Sequence, residues 1–408
     1  MHYKQYIHFL YLLCILGGCF ISLTVFAQDR SDDNALFKDL EKPLPEIPVL
    51  SKDELVQQFK FIEEKSPGAD PYSGFVMFIP KSWVAAPPEL IKNFKQQGKI
   101  IGDVAKYYSD LHAPVRSAIS IEAHARKSNV SAKNWLVNYL IDYGYLIEGV
   151  QGFDRNKAEA IATLYNVKDI DYRHRVSARI NGDRVIVVHY SVPVPFWDDE
   201  KIFQATTLKT FNLTLKDTAS VYQTLTYDLN GWAEFEYPDT WFSMLPDTDN
   251  YDRISVNLAR FEKSFYESEL QAMHARQKNE FMSSGLMNVR LIWFENLDTT
   301  LVDEIDLVKK SISERGYEIV LPKMEYTIPL DYPADSTVRN MEIYKMRYKD
   351  ERDPSFELWI ASMKYDGFYF IVTMLMADKD EQYLKWIENK SAFELVVSSF
   401  DLIPQYDE

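Results

Sequence analysis

Four oxygen-bearing side chains lie close together in one short stretch of the sequence. They are Asp247, Asp249, Asn250 and Asp252. Calcium prefers several hard oxygen ligands on a flexible loop, so this spacing is compatible with a calcium site. An EF-hand needs a glycine at its sixth position and an acidic residue at its twelfth, where Asp252 and Leu258 stand here. The stretch is therefore a weak metal candidate, and a solvated turn between strands is the alternative.

The histidines offer a second set of reactive groups. Those outside the N-terminal stretch show neither His-x-x-x-His nor His-Glu-x-x-His spacing, which argues against a helical zinc site. Ser191 and His189 alternate along one predicted strand and so share a face. No Gly-x-Ser-x-Gly turn accompanies them, and no third member of a triad can be nominated. His189 is interpreted as a strand residue near the end of a sheet, and neither a catalytic residue nor a cofactor site is predicted.

One apolar segment beside acidic residues is a candidate partner-binding surface. Phe196 and Trp197 are followed directly by Asp198 and Asp199. An apolar wedge with an acidic rim resembles surfaces that bind other proteins. The alternative is a hydrophobic staple at the start of a helix.

The charge and the glycine content limit the classes of ligand. The formal net charge is -16, which repels the phosphate backbone of nucleic acids and anionic lipid headgroups. Neither of the two common glycine-rich phosphate-binding loops occurs, and only 14 glycines are present, which argues against a nucleotide-dependent enzyme. Basic proteins or cations match this surface better. The acidity otherwise serves solubility.

The N-terminal segment predicts export. An apolar run from Tyr6 ends at Ala27, and polar residues follow from Gln28. This pattern is typical of a signal peptide at 1–27, cleaved after Ala27. Two alternatives remain, because the run could span a bilayer if retained, and the sequence ending at Cys19 resembles a lipoprotein box that would place a lipid there. All three place the folded part outside the cytoplasm, and the periplasm is the expected compartment.

Length and composition favour two folded domains. The 408 residues exceed one ordinary core and suit two domains of about 150–180 residues. Hydrophobic content is 46% and aromatic content 14%, which supplies packed, β-rich cores. Both cysteines, Cys14 and Cys19, lie in the N-terminal stretch, so the domains would hold together without disulfides.

Local patterns predict how these domains are arranged. Residues 28–70 are expected to be a polar, proline-containing tether with a short helix, capped by Ser51 and extending through Glu64. Domains are expected at 71–215 and 216–408. Their predicted helices include 87–97, 131–143, 262–281 and 298–315.

The two predicted domains share landmarks in the same order. In each, a strand ends at a proline that precedes a tryptophan, a late hairpin turns at a glycine, and a closing helix ends near a phenylalanine. In the first copy these are Pro80, Trp83, Gly182 and Phe211, and in the second Pro238, Trp241, Gly367 and Phe400. An internal duplication of this kind determines the interpretation of the fold.

This order of elements resembles the PsbP-like family, the superfamily of PsbP, Mog and DcrB. The resemblance is carried by the strands into Pro-x-x-Trp (Phe75–Trp83, Phe235–Trp241), the late hairpins (Arg175–Val192, Glu357–Met376) and the closing helices. It implies an α+β fold with two tandem domains, each an antiparallel β-sheet packed between α-helices in an α/β/α sandwich. It implies no enzyme activity, because family members act by binding proteins or ions, and no functional residue transfers.

The leading hypothesis is a non-catalytic scaffold or protein-binding protein of the bacterial cell envelope, whose partner is another envelope protein. One alternative is an envelope hydrolase with dispersed catalytic residues, which requires an acidic side chain beside His189 or His124 in a deep pocket. The other is capture of an ion or small ligand in a cleft between the two domains.

Overall fold

The computed structural model describes residues 43–403, apart from 49, 97–98, 127–128, 168–169, 218–222, 248–251, 261–284, 295–297, 321–322, 324–329, 350–351, 353–354 and 380–381. Strand pairs are antiparallel throughout this part of the chain, and α-helices pack on the sheets, so the fold is α+β. The predicted signal peptide at 1–27 and the predicted helix at 262–281 lie outside the described residues.

The first half of the chain forms a small sheet and a large sheet. The strands are β1 (Phe59–Glu64), β2 (Phe75–Pro80), β3 (Val84–Ala85), β4 (Asn93–Gln96), β5 (Lys99–Tyr108), β6 (Ala118–Ala125), β7 (Leu146–Asp154), β8 (Lys157–Val167), β9 (Ile170–Asn181), β10 (Arg184–Pro193) and β11 (Asn212–Leu213). The small sheet has the order β1-β2-β11, and the large one β3-β5-β6-β10-β9-β8-β7, with β4 paired to β5. The helices are α1 (Lys52–Gln58), α2 (Ala132–Asp142) and α3 (Lys201–Thr210).

The second half repeats this strand order. Its strands are β12 (Thr224–Asp228), β13 (Ala233–Pro238), β14 (Trp241–Asp247), β15 (Arg253–Arg260), β16 (Leu286–Trp293), β17 (Tyr317–Val320), β18 (Val338–Tyr348), β19 (Phe356–Lys364), β20 (Phe368–Ala377) and β21 (Asp401–Leu402). The small sheet is β12-β13-β21, and the large sheet is β14-β15-β16-β20-β19-β18-β17. The helices are α4 (Leu301–Glu314) and α5 (Tyr383–Ser398).

Each large sheet buries both of its faces. In the first half, one face packs against the small sheet and α3, and the other packs against α2. In the second half, α5 and the small sheet cover one face, and α4 covers the other. Alternate residues of a strand point to opposite faces, so each central strand contributes to two separate cores.

The predicted landmarks occupy equivalent places in the two halves. β2 ends at Pro80 and β13 at Pro238, because proline cannot donate a backbone hydrogen bond. Trp83 and Trp241 are both buried in the cores beside these strands. The late hairpins turn at glycines with positive φ angles of 63° and 78°, and buried phenylalanines follow α3 and α5.

Two predicted helices are wrong in extent or in kind. The helix capped by Ser51 ends at Gln58, and the next six residues form β1, which pairs along β2. The predicted tether at 28–70 thus includes a strand of the first small sheet. The segment predicted as a helix at 87–97 contains one 3-10 turn, Pro88–Leu90, and then β4. The sequence of β4 does not alternate between apolar and polar residues as a half-buried strand would. β4 forms because its backbone pairs with β5.

The two halves meet where α2 contacts α5. Val130, just before α2, is buried in the main core of the second half, and Trp135 packs against cores of both halves. The Tyr383 hydroxyl donates a hydrogen bond to Asn134 Oδ1 at 3.2 Å. The Asn181 side chain fixes the start of the segment that connects the two halves. Its Nδ2 donates to Leu215 O at 3.1 Å, and its Oδ1 accepts from Asp217 N at 2.7 Å. These contacts place residues of both halves around one cleft.

Candidate functional site

A cluster of polar side chains lies between α2 and the first large sheet. Glu122 and His124 alternate on β6, and His189 lies on the neighbouring strand β10. Tyr139 reaches this face from α2, which begins at Ser131, whose hydroxyl accepts a hydrogen bond from the Asn134 amide at 3.3 Å. The pairing of β6 with β10 therefore brings together residues that are far apart in the sequence.

Hydrogen bonds connect most of this cluster. The Tyr139 hydroxyl donates a hydrogen bond to Glu122 Oε2 at 3.3 Å. It also lies 3.0 Å from His189 Nε2, from which it can accept a hydrogen bond. His124 Nε2 lies 3.1 Å from the same carboxylate oxygen. His174 on β9 stacks edge-on against His189, with ring centroids 5.8 Å apart, and neither of its ring nitrogens has a hydrogen-bond partner.

Burial determines the charge state of these groups. It lowers the pKa of His189 to about 4 and that of His174 to about 3, because the charged imidazolium loses its hydration. Burial alone would raise the pKa of Glu122, but the hydrogen bond with His124 and the nearby histidines lower it to about 2. At neutral pH the cluster therefore consists of neutral His174 and His189 around an ionised carboxylate.

The cluster supplies the acidic group beside histidines that the hydrolase hypothesis requires, but most of its polar groups are removed from solvent. Tyr139 on α2 and His174 and His189 beneath that helix are all buried. His189 lies inside β10 rather than near the end of the sheet, which corrects the interpretation from the sequence. The Ser191 hydroxyl donates to Ala118 O at 3.2 Å and is not bonded to His189. The arrangement is that of a partly polar core.

A cleft of about 400 Å³ lies between the two halves. Asn129 and Arg155, from loops of the first half, form one side of it. The second half contributes the start of β12, the turn between β13 and β14, the end of β15 and one face of α5. The residues of the second half that line it are Gln223, Thr224, Pro238, Thr240, Trp241, Arg260, Glu388, Ser391, Ala392, Glu394, Leu395 and Ser398.

The charged groups of the cleft are held in pairs. Arg260 and Glu388 form an ion pair whose side chains are only 14% and 11% exposed. Glu394 pairs with Lys390 one turn earlier on α5. Arg155 Nη2 donates to the main-chain oxygen of Asn129 at 3.3 Å and to its Oδ1 at 3.0 Å.

A second arginine stands behind the same asparagine. Arg126 Nη2 donates to Asn129 Oδ1 at 2.8 Å. Among the described residues that line the cleft or bond to its lining, four cationic side chains (Arg126, Arg155, Arg260, Lys390) thus stand against three carboxylates (Asp239, Glu388, Glu394). This place is locally basic in a chain with a net charge of -16.

The predicted partner-binding segment does not form one exposed wedge. Phe196 is 52% exposed, but Trp197 is only 5% exposed and belongs to the core under α3. The guanidinium of Arg173 lies 4.6 Å from the Trp197 ring centroid. Asp198 is exposed and pairs with Lys201 at 2.7 Å, and Asp199 is exposed as well. Trp197 therefore packs inward just before the closing helix, whose N-cap residue is Glu200, and partner binding by this segment stays a prediction.

The predicted metal loop lies mostly outside the described residues. Asp247 ends β14 and Asp252 precedes β15, whereas Asp249 and Asn250 are not described. Across the described ranges, no group of three His, Cys, Asp or Glu side chains is arranged to hold a metal ion. The calcium site stays a prediction.

The cleft residues were missed from the sequence. Arg155 lies in the turn between β7 and β8, Arg260 at the end of a strand and Glu388 on a helix, so no fixed spacing connects them. For the cluster under α2, the alternation of Glu122 and His124 was a usable signal. The pairing of β6 with β10, which adds His189, was not visible in the local sequence.

Comparisons with known proteins give limited information. No protein-family model and no curated protein matches the chain. Two solved structures are similar to parts of it. The solution structure of cyanobacterial PsbP (CyanoP) from Synechocystis sp. PCC 6803 covers 42% of this chain and 99% of its own, with 12% identity and a TM-score of 0.28. A crystal structure from Bacteroides thetaiotaomicron covers 75% of this chain and 87% of its own, with 10% identity and a TM-score of 0.24.

None of the helices in the described ranges is both long and apolar enough to cross a bilayer.

Proposed function

We propose that the protein is a non-catalytic binding protein of the bacterial cell envelope, built from two PsbP-like domains, which binds another envelope protein in the cleft between its halves. The observation that carries this proposal is the lining of the cleft. Arg155 and Asn129 come from one half, and Arg260, Glu388 and the hydroxyl groups come from the other. A ligand seated there would contact both halves at once.

Binding accounts for this lining better than hydrolysis does. Both carboxylates in the cleft are paired with cations, Glu388 with Arg260 and Glu394 with Lys390. A general base needs access to a proton of the substrate. Of the histidines near Glu122, His174 and His189 are buried beneath α2, whereas His124 bonds to the Glu122 carboxylate and these two side chains are 20% and 23% exposed.

The envelope assignment rests on the N-terminal pattern. The apolar run that ends at Ala27 is typical of an exported protein. The intact mass of the protein recovered from its own cells distinguishes a chain that starts at Gln28 from a lipid-modified chain that starts at Cys19. A mass equal to that of the whole chain would show that the segment is retained.

Photo-crosslinking in living cells tests the binding site. A benzophenone amino acid is placed at Thr240 or Ser391, which line the cleft, and for comparison at Val302, which is 66% exposed on α4. We expect one discrete protein adduct from the cleft positions and none from position 302. Equal adducts at all three positions, or adducts at position 302 alone, would contradict the proposal.

A second candidate function is the capture of a small polar ligand. The volume of about 400 Å³ and the many hydroxyl and amide groups of the lining favour it. Native mass spectrometry of the protein purified from its own cells would then show a defined added mass, and photo-crosslinking would give no protein adduct.

A further inference from the structure

We infer that the cleft binds the C-terminal carboxylate of an uncharged peptide segment, and that Arg155 is the group that recognises this carboxylate. The inference rests on the proposed binding function and adds the chemistry of the bound segment. It is carried by the placement of Arg155, by the local charge and by the remaining lining of the cleft.

Arg155 is positioned to bind a carboxylate. It lies exposed in the turn between β7 and β8, at the side of the cleft that the first half supplies. Only its Nη2 nitrogen donates hydrogen bonds within the described part of the chain, and both go to Asn129. These bonds fix the plane of the guanidinium and leave Nε and Nη1 for a ligand. Nε and Nη1 lie on different edges of the guanidinium, so either one can donate a single charge-assisted hydrogen bond to a carboxylate oxygen.

The other arginine of the cleft is already occupied. Arg260 is paired with Glu388, and both side chains are largely removed from water. Separating them would leave a poorly hydrated charge on each side, which is strongly unfavourable. A carboxylate that enters the cleft therefore meets Arg155, while the Arg260–Glu388 pair remains intact beneath it.

The charge balance favours one carboxylate over a polyanion. The cleft and the residues bonded to its lining carry four cations against three carboxylates among the described residues, an excess of one positive charge. The whole chain has a net charge of -16, which repels an approaching nucleotide or polyacidic segment. A single terminal carboxylate is attracted locally and repelled little at long range.

The rest of the lining suits a peptide main chain. Gln223, Thr224 and Thr240 supply both donors and acceptors, as Ser391 and Ser398 do on α5. Ala392 and Leu395 add apolar surface between the two serines. A volume of about 400 Å³ is at the lower end of the range for ligand pockets and accommodates a few residues.

Fluorescence anisotropy with defined peptide pools tests the inference. The mature chain, residues 28–408, is titrated into a fluorescein-labelled pool of random hexapeptides made of uncharged residues with free C termini. A second pool is identical except that its C termini are amidated. We expect the free-acid pool to bind at least about tenfold more tightly, which corresponds to one charge-assisted hydrogen-bonded contact.

Three variants locate the contact. Arg155→Gln is expected to reduce binding of the free-acid pool to the level of the amidated pool. Ser391→Trp, which fills the cleft from α5, is expected to abolish binding of both pools. Arg347→Gln, which changes a surface arginine paired with Glu318, is the matched control and should bind as the unmodified protein does. Far-ultraviolet circular dichroism confirms that each variant is folded.

The outcomes separate this inference from the proposed function. Equal binding of the two pools, unchanged binding by Arg155→Gln, or no binding of either pool would overturn the inference. A protein adduct at Thr240 or Ser391 in the crosslinking experiment would still support the proposed function in each of these cases. If the crosslinking fails and free-acid peptides bind through Arg155, the cleft binds peptides that do not come from a stable protein partner.

Discussion

The two helices α2 and α4 cover the same face of two sheets with the same strand order, yet the polar groups beneath them differ. Under α2 the buried groups are neutral His174 and His189 and the hydroxyl of Tyr139, and the ionised Glu122 beside them has a side chain that is 23% exposed. Under α4, Glu304 is 1% exposed and forms an ion pair with Arg253. The topology thus determines where buried polar groups lie but not which groups they are.

The surroundings of the two helices account for this difference. α2 lies between its own sheet and α5 of the second half, so His174 and His189 are buried, while the side chains of Glu122 and His124 remain 23% and 20% exposed. Charged groups are costly to bury there, and burial keeps His174 and His189 neutral. Arg253, at the edge of the face under α4, is 34% exposed, so water still solvates that ion pair in part.

The largest expected effect comes from Glu304→Gln. The carboxylate pairs with Arg253 and accepts a hydrogen bond from the Thr299 hydroxyl at 3.0 Å. Its loss leaves Arg253 and the nearby Arg290 without a counter-charge, so we expect a loss of about 3 kcal/mol in unfolding free energy. Urea titration, monitored by tryptophan fluorescence, measures this change in unfolding free energy. Glu314→Gln, at an exposed position of the same helix, is the control, and equal effects of the two substitutions would show that the ion pair is not needed.

The second prediction concerns the dependence of stability on pH. The folded pKa values of His174 and His189, about 3 and about 4, lie below the unfolded value of about 6.5. Between these values the unfolded chain binds more protons, so stability is complete above pH 6.5 and falls on acidification. Each histidine should cost about 2 kcal/mol at pH 5.

Substitution of one histidine measures this cost. We expect the decrease in unfolding free energy from pH 7.5 to pH 5 to be about 2 kcal/mol smaller in His174→Phe than in the unmodified protein. His112→Phe, at an exposed position, is the control and should retain the full decrease. If His174→Phe showed the full decrease as well, His174 would not be neutral in the folded state.

The smallest expected effect comes from Tyr139→Phe. The hydroxyl contacts both His189 Nε2 and Glu122 Oε2, and its removal deletes these hydrogen bonds while the ring remains. The carboxylate keeps its contact with His124. We therefore expect a loss of about 1 kcal/mol, measured by urea titration. A loss as large as that of Glu304→Gln would mean that the face under α2 depends on its polar groups as strongly as the face under α4.

Local sequence signals predicted the parts of the fold that depend on neighbouring residues. Pro80 and Pro238 end strands because proline lacks an amide donor, and Gly182 and Gly367 adopt the positive φ angles that the hairpins need. Ser51 caps the helix as predicted, and the structure adds the reciprocal hydrogen bond from Glu54 that completes a capping box. Each of these features involves residues within a few positions of one another.

The elements that were predicted wrongly depend on distant partners. The predicted helix after Ser51 stops at Gln58 because the next residues pair with β2. β4 lacks an alternating pattern and forms by pairing with β5. The cleft needs Arg155 and Glu388, which lie on different halves, so only the contact of α2 with α5 brings them together.

Val130 and Trp135 give the contact between the halves a thermodynamic consequence. Since both belong to the first half and pack in the main core of the second, unfolding of α2 would expose apolar surface in both halves. Acid that protonates the histidines beneath α2 acts directly on the first half alone. The shared core transmits this loss of stability to the second half, so the two halves should respond to pH together although their own titrating groups differ.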